Sequence, residues 1–163
     1  SPVQFKDALL VSRVLSILED TGFDPARLEL EVTEGLLIYD TIVARRTIET
    51  FKSMGIRIAL DDFGTGYSSL SYIQSFPFDK VKIDRSFVSD IDKNPQSAAV
   101  VQCVVNLATS LGMVVTAEGI ETENHEMLLK FIGCNSLQGF KYGRPMPAAE
   151  FDLSLVGPQQ MLA

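Results

Sequence analysis

The chain has 163 residues, 46% of them hydrophobic, enough for a single domain with a real core. With 14 Lys and Arg against 21 Asp and Glu, the net charge is −7, which argues against broad binding of DNA or RNA polymers through phosphate neutralisation. No apolar run approaches the ~18 residues of a membrane span, and Lys6 and Asp7 interrupt the first apolar stretch before it can read as a signal peptide.

Ser1-Pro2 suits a helix start. Residues 3–22 read as one helix, with Leu9, Leu10, Val14, Ile17 and Leu18 on its inner face and Gly22 at its end. Asp24-Pro25 turns the chain into 28–34, whose strict alternation has strand period and places Glu29, Glu31 and Thr33 on one side. Asp40 has the chemistry of an N-cap for a helix over 41–54, with Ile42, Ile48 and Phe51 inward and Gly55 closing it. Ile58-Ala59-Leu60 reads as a buried strand over 57–61 that stops at Asp61 and Asp62. The loop Phe63-Gly64-Thr65-Gly66 and a short helix near 69–74 follow. Phe76-Pro77-Phe78 leads into a strand over 80–84, with Lys82 and Asp84 on one face. Residues 92–96 read as a polar turn, and Ser97 as the opening of an apolar core helix to Leu111. A strand over 113–117 ends at Glu118, Thr122 caps a helix to Ile132, and a short strand near Leu137 ends at Gln138-Gly139. Beyond Pro145 the one signal is a turn near 148–155. His125, mid-helix among polar residues, reads as surface, so a histidine-based mechanism has no support. Cys103 and Cys134 have no partner pattern and read as free, buried thiols of a reducing cytoplasm.

The acids carry the chemistry. Glu31, Asp61, Asp84 and Glu118 are spaced by 30, 23 and 34 residues, near the length of one βαβ unit. Alternating strands and helices with short loops imply a parallel sheet, whose working residues sit at the carboxyl ends of the strands. Five strands are visible, so an open sheet is one reading and an incomplete barrel another. Taken singly, each signal has a plain structural meaning. Asp61-Asp62 is a cap or a solvated turn, Glu31 a solvent-facing strand residue, Lys82 a snorkelling lysine and Glu118 an ordinary strand-end acid. Adjacent carboxylates raise each other's pKa unless a cation lies between them, and hard divalent ions such as Mg²⁺ take carboxylate oxygens. Asp61-Asp62 at a strand end followed by Gly-x-Gly therefore points to a metal site.

In order, Leu30-Glu31-Val32-Thr33-Glu34, Asp61-Asp62-Phe63-Gly64-Thr65-Gly66-Tyr67-Ser68-Ser69-Leu70, Lys82-Ile83-Asp84-Arg85-Ser86-Phe87, Ala117-Glu118-Gly119-Ile120-Glu121-Thr122 and Gln138-Gly139-Phe140 resemble the successive motifs of the EAL domain family. That resemblance implies an α/β fold, a modified TIM (β/α)₈ barrel. It also implies metal-dependent hydrolysis of one phosphodiester of cyclic di-GMP to linear pGpG, with one or two Mg²⁺ or Mn²⁺ ions, in bacterial signalling. By the same resemblance Glu31, Asp61, Asp62 and Asp84 are metal residues. Lys82 holds the catalytic water or a phosphate oxygen, Glu118 acts as general base or steadies the second metal and its water, and Glu34 braces the loop after Asp61. Gln138 and Glu121 are substrate-side residues, and a homodimer is compatible with the family.

The family's Glu-Ala-Leu motif and its Asn-Leu-Ser asparagine find no counterpart, and Ser1 resembles the serine of the latter. The chain is thus expected to be the C-terminal two-thirds of one EAL-type domain over 1–163, matching it to about 151. The first strands are expected to be absent, roughly 90 residues of a typical barrel, and activity of the chain alone to be weak. A non-catalytic cyclic di-GMP sensor or interaction module is the competing reading. A general metal nuclease is disfavoured by the charge.

Overall fold

A computed structural model describes residues 2–39, 41–64, 70–147 and 150–151. Among them the elements run α1 (Pro2–Phe5), α2 (Leu10–Thr21), a 3₁₀ turn (Pro25–Arg27), β1 (Glu29–Thr33), α3 (Glu34–Tyr39), α4 (Thr41–Ser53), β2 (Arg57–Phe63) and α5 (Leu70–Ser75). They continue with β3 (Lys80–Ile83), α6 (Arg85–Val88), α7 (Pro95–Ser110), β4 (Val114–Ala117), α8 (Glu123–Ile132) and β5 (Ser136–Leu137).

The five strands form one parallel sheet in the order β1-β2-β3-β4-β5. A doubly wound sheet reverses its order at a switch point. Here each strand pairs with its predecessor, which is the order of a barrel wall. Period two divides every strand into two faces. Ile58, Leu60, Val81, Ile83, Val115 and Ala117 are buried in the hydrophobic core, where helices such as α4 and α7 cover the sheet. Fully burying one such valine, leucine or isoleucine side chain is worth about 1.5–3 kcal/mol. The other face is polar. Glu29 pairs with Lys80, Glu31 with Lys82, and the hydroxyls of Thr116 and Ser136 bond each other. The apolar face supplies the fold, and the polar face is free to carry chemistry.

Several details differ from the sequence reading. The helix over 3–22 is broken, because the Asp7 carboxylate accepts the Leu9 amide at 2.9 Å and turns the chain before α2. Leu9 and Ile17 are exposed, while Leu10, Val11 and Val14 lean on the core beside buried Leu18. In α4 the buried stripe is Ala44, Ile48 and Phe51, and Ile42 is 67% exposed on the opposite side. The polar turn at 92–96 gives way earlier than expected: Asn94 accepts the Gln96 amide, and Pro95 in the first turn opens α7. β2 continues through both aspartates to Phe63. The short helices α3 and α6 were not foreseen. His125 is buried, 5% exposed, because α8 presents His125, Leu129 and Ile132 as one stripe and Asp92 meets its Nε2 at 3.6 Å. Thr122 caps α8 as expected, accepting the His125 amide at 3.1 Å. Asp40, Ser68, Ser69 and most of the turn near 148–155 lie outside the described residues. Among the described residues no helix is long and apolar enough to cross a membrane.

Both cysteines are free, as expected, but Cys103 is exposed on α7 rather than buried. Cys134 is half-buried, and burial pushes its thiol up to about 11. The thiolate is the reactive form. Ellman's reagent at about pH 8 should therefore modify Cys103 roughly 100-fold faster than Cys134. Equal rates in the folded chain would contradict this placement.

Candidate active site

Four charged side chains meet on the polar face, from the middle of β1, the later parts of β2 and β3, and the residue after β4. The Lys82 ammonium lies 2.6 Å from Glu31 Oε1, 3.1 Å from Asp61 Oδ1 and 2.6 Å from Glu118 Oε1. Each residue comes from a different strand or the residue that follows it, so the sheet register sets the cluster. β1 and β2 pair with Thr33 opposite Asp61, and Glu118 is tied to β3 by its amide donating to the Ile83 carbonyl at 3.1 Å. The Lys82 side chain is only 7% exposed. Burial by itself would lower its pKa, but the carboxylates of Glu118, Glu31 and Asp61 outweigh burial and raise it above the ordinary lysine value. Lys82 is therefore a cation and a hydrogen-bond donor at neutral pH in this arrangement.

Asp62 has φ 54°, the one non-glycine residue with positive φ among the described residues. The β2–β3 register shifts between Leu60 and Phe63, so Asp62 sits in a bulge. Strict alternation would send Asp61 and Asp62 to opposite faces, and a bulge re-aims a side chain. Left-handed backbone costs a non-glycine residue roughly 1–2 kcal/mol, a strain typical of functional loops. Asp62 is exposed. Loss of hydration around its carboxyl, followed by the charges of Asp61 and Asp84, raises its pKa.

The bulge is braced from behind. Glu34 is buried, and its Oε1 accepts the Gly64 amide at 2.9 Å. Gly64 has φ 95°, and a Cβ there would lie 2.7 Å from the Phe87 ring. Replacing Glu34 by alanine should speed hydrogen exchange of the Gly64 amide about 5- to 150-fold, since a lost side-chain acceptor is worth about 1–3 kcal/mol. Unchanged exchange, read by NMR, would remove Glu34 as the brace.

The remaining expected residues lie around this centre. Asp84 caps α6, its Oδ1 accepting the Ser86 amide at 2.9 Å, and the bonds from Ser86 hold its carboxyl below the usual range. Glu121 is bonded to Arg85 at 3.1 Å rather than to the lysine cluster. Gln138 is exposed beyond β5, and its backbone links the Ala117 carbonyl and the Ile120 amide. Arg85 was not singled out by sequence. Its stem lies against Gly119, where a Cβ would be 2.4 Å from Arg85 Cγ. Its place beside Asp84, at a strand end, was the available signal.

Three carboxylates face one ammonium, so the centre is net negative before Asp62 is added. Asp61 Oδ1 is buried and accepts no hydrogen bond, despite its approach to Lys82. Carboxylate donors on a negative, partly buried centre fit a hard divalent cation. Among the described residues, however, no three such side chains are already arranged around a metal position, because Lys82 stands in the middle.

A sequence-family model described as EAL domain matches residues 1–145. The cyclic di-GMP phosphodiesterase PdeR of Escherichia coli is 38% identical over 149 residues, 91% of this chain and 22% of PdeR. The bifunctional diguanylate cyclase/cyclic di-GMP phosphodiesterase MucR of Pseudomonas aeruginosa is 43% identical over 150 residues, 92% of this chain and 22% of MucR. The solved MucR phosphodiesterase in complex with c-di-GMP superposes with a TM-score of 0.88, covering 92% of this chain and 61% of that one. BlrP1 of Klebsiella pneumoniae, solved with manganese and cyclic di-GMP, is 34% identical with a TM-score of 0.81, covering 87% of this chain and 36% of that one. The chain thus spans about a fifth of the length of these curated relatives.

Proposed function

Because the chain belongs to the EAL domain family, we propose that it carries the hydrolytic centre of a cyclic di-GMP phosphodiesterase, cleaving one phosphodiester to give linear pGpG. The observation that carries this reading is the convergence of Glu31, Asp61 and Glu118 on Lys82 across four neighbouring strands.

Glu31, Asp61 and Asp62 are the side chains that would hold Mg²⁺ or Mn²⁺, with Asp84 beside them. A bound divalent cation supplies charge neutralisation on the phosphate and acidity to a bound water. The chain's own residues do the rest. Lys82, as an ammonium, donates to a phosphate oxygen or to the attacking water and balances charge that builds on the phosphate oxygens. Glu118 accepts the water proton as the new P–O bond forms. The ester P–O bond opposite breaks, and the leaving ribose oxygen takes a proton from solvent. Glu34 keeps the Asp61–Gly64 segment in place. Glu121 and Gln138 are the substrate-side residues.

Turnover of cyclic di-GMP with Mg²⁺ or Mn²⁺, followed by separation of pGpG, tests this. Asp61→Asn is expected to lower the rate at least ~1000-fold with the fold intact, since misplacement near 1 Å alone costs about 100-fold. Undiminished hydrolysis in that variant would sink the assignment. The position of Lys82 amid the carboxylates favours one second reading, a cyclic di-GMP sensor without turnover. Nucleotide binding with no hydrolysis in Mn²⁺ would decide for it.

A further inference from the structure

Below the centre, the polar face carries a second ion pair that the proposed chemistry does not use. Glu29 Oε1 lies 2.7 Å from Lys80 Nζ, with side chains 21% and 19% exposed. Glu29 and Glu31 are on β1, Lys80 and Lys82 on β3, and β2 runs between them. Both pairs cross β2, whose residue on the shared rung is Ala59, fully buried and too small to obstruct them.

The register makes the pairing a choice. Glu31 is opposite Ala59, and Ala59 is opposite Lys80, so Lys80 is on the rung of Glu31. Yet Lys80 pairs with Glu29, two residues lower on β1, and Glu31 pairs with Lys82, two residues higher on β3. The straight-across alternative, Lys80 on Glu31, would leave Glu29 without its cation and leave Lys82 to Asp61 and Glu118 alone. It would also put a second ammonium beside the cation-holding carboxylates. A partly buried carboxylate without a counter-charge is strongly disfavoured, so Glu29 works against that alternative by holding Lys80.

We propose that Glu29 is a positioning residue for the carboxylate–lysine centre: it draws the Lys80 ammonium two residues down β1 from Glu31, so that Glu31 is shared with Lys82 and stays available to a divalent cation. This rests on the metal-dependent reading above, and it concerns charge placement rather than chemistry.

Two measurements on the whole chain test it. The first is Mn²⁺ affinity by calorimetry. Glu29→Gln keeps the shape and releases Lys80, and should weaken Mn²⁺ binding about tenfold, because the freed ammonium repels the cation and competes with it for Glu31. Adding Lys80→Met to Glu29→Gln should restore affinity to within about twofold of the parent, because the intruding charge is gone. A merely structural pair predicts the reverse, with the double variant as weak as the single or weaker. The second is a metal-free crystal structure of Glu29→Gln, which should show the Lys80 ammonium on Glu31. Parent-like affinity in Glu29→Gln, no recovery in the double variant, or a retained Lys82–Glu31 pair without Lys80 in that crystal structure overturns the proposal. If the parent binds no Mn²⁺, the metal reading falls, and the crystal structure alone decides for or against the positioning role.

Discussion

Replacing Lys82 by methionine is expected to make the stability of the fold depend on a divalent cation. Methionine keeps most of the stem and removes the charge. Glu31, Asp61 and Glu118 then face one another with no counter-charge, at a position where the lysine side chain was 7% exposed. Removing one partner of a buried ion pair costs about 3–5 kcal/mol. For a chain of this size each kcal/mol moves the midpoint roughly 2–4 °C, so in chelator the variant should melt about 6–20 °C below the parent, towards the low end because Glu31 is half exposed. Mn²⁺ should recover most of that loss, since a ligand that binds only the folded state stabilises it by mass action. Hydrolysis should stay at least ~100-fold depressed even in saturating Mn²⁺, because the donor to the phosphate is gone. Thermal unfolding in chelator and in Mn²⁺ makes the comparison. A variant as stable as the parent in chelator would mean that the carboxylates do not depend on Lys82.

Gly139→Ala is expected to be among the most destabilising single methyl additions. A Cβ there would lie 2.2 Å from both the N and O of Ile120 and 2.6 Å from its Cα. These are backbone atoms held in place, because the Ile120 amide donates to the Gln138 carbonyl and the Lys141 amide to the Ile120 carbonyl, both at 3.0 Å. Overpacking costs about 1–3 kcal/mol, and two backbone hydrogen bonds put under strain are worth about 1 kcal/mol each. A total near 3–5 kcal/mol is the expected loss. Gly112→Ala is the control. Gly112 has φ 74° with open space around it, so only backbone strain applies, about 1–2 kcal/mol. Denaturant unfolding separates the two, and equal losses would refute the crowding argument. Ile120 is two residues after Glu118, so the glycine variant should also lose activity out of proportion to the fraction unfolded.

The strands and the residues at their ends were legible because a parallel sheet writes itself plainly. Lys80–Ile83 and Glu29–Val32 alternate charge and apolar side chain, and Asp84 and Glu118 fall where their strands stop. What escaped depended on partners distant in sequence or on local backbone competition. His125 is buried because Asp92, more than thirty residues earlier, closes over it. Ile42 and Ile17 are apolar yet exposed, and nothing in helical period alone separates them from Ile48 and Leu18. The break before α2 comes from one side-chain-to-backbone bond at Asp7, which competes with the helix. The bulge at Asp62 reverses the alternation that located the strand. Sequence period therefore named both aspartates and could not say how two neighbours come to bear on one centre.

The strand order has a consequence for how this chain is made. Each strand hydrogen-bonds to the one translated before it, in parallel, through all five. A nascent chain leaving the ribosome never has to wait for a distant segment to template the next strand. The latest strand finds its neighbour already in place, and the helix between them is made before the pairing is needed. Parallel pairing is slow when its partners are far apart, because loop closure must come first. Here every closure spans a single crossover, so assembly can keep pace with synthesis at roughly 5–20 residues per second.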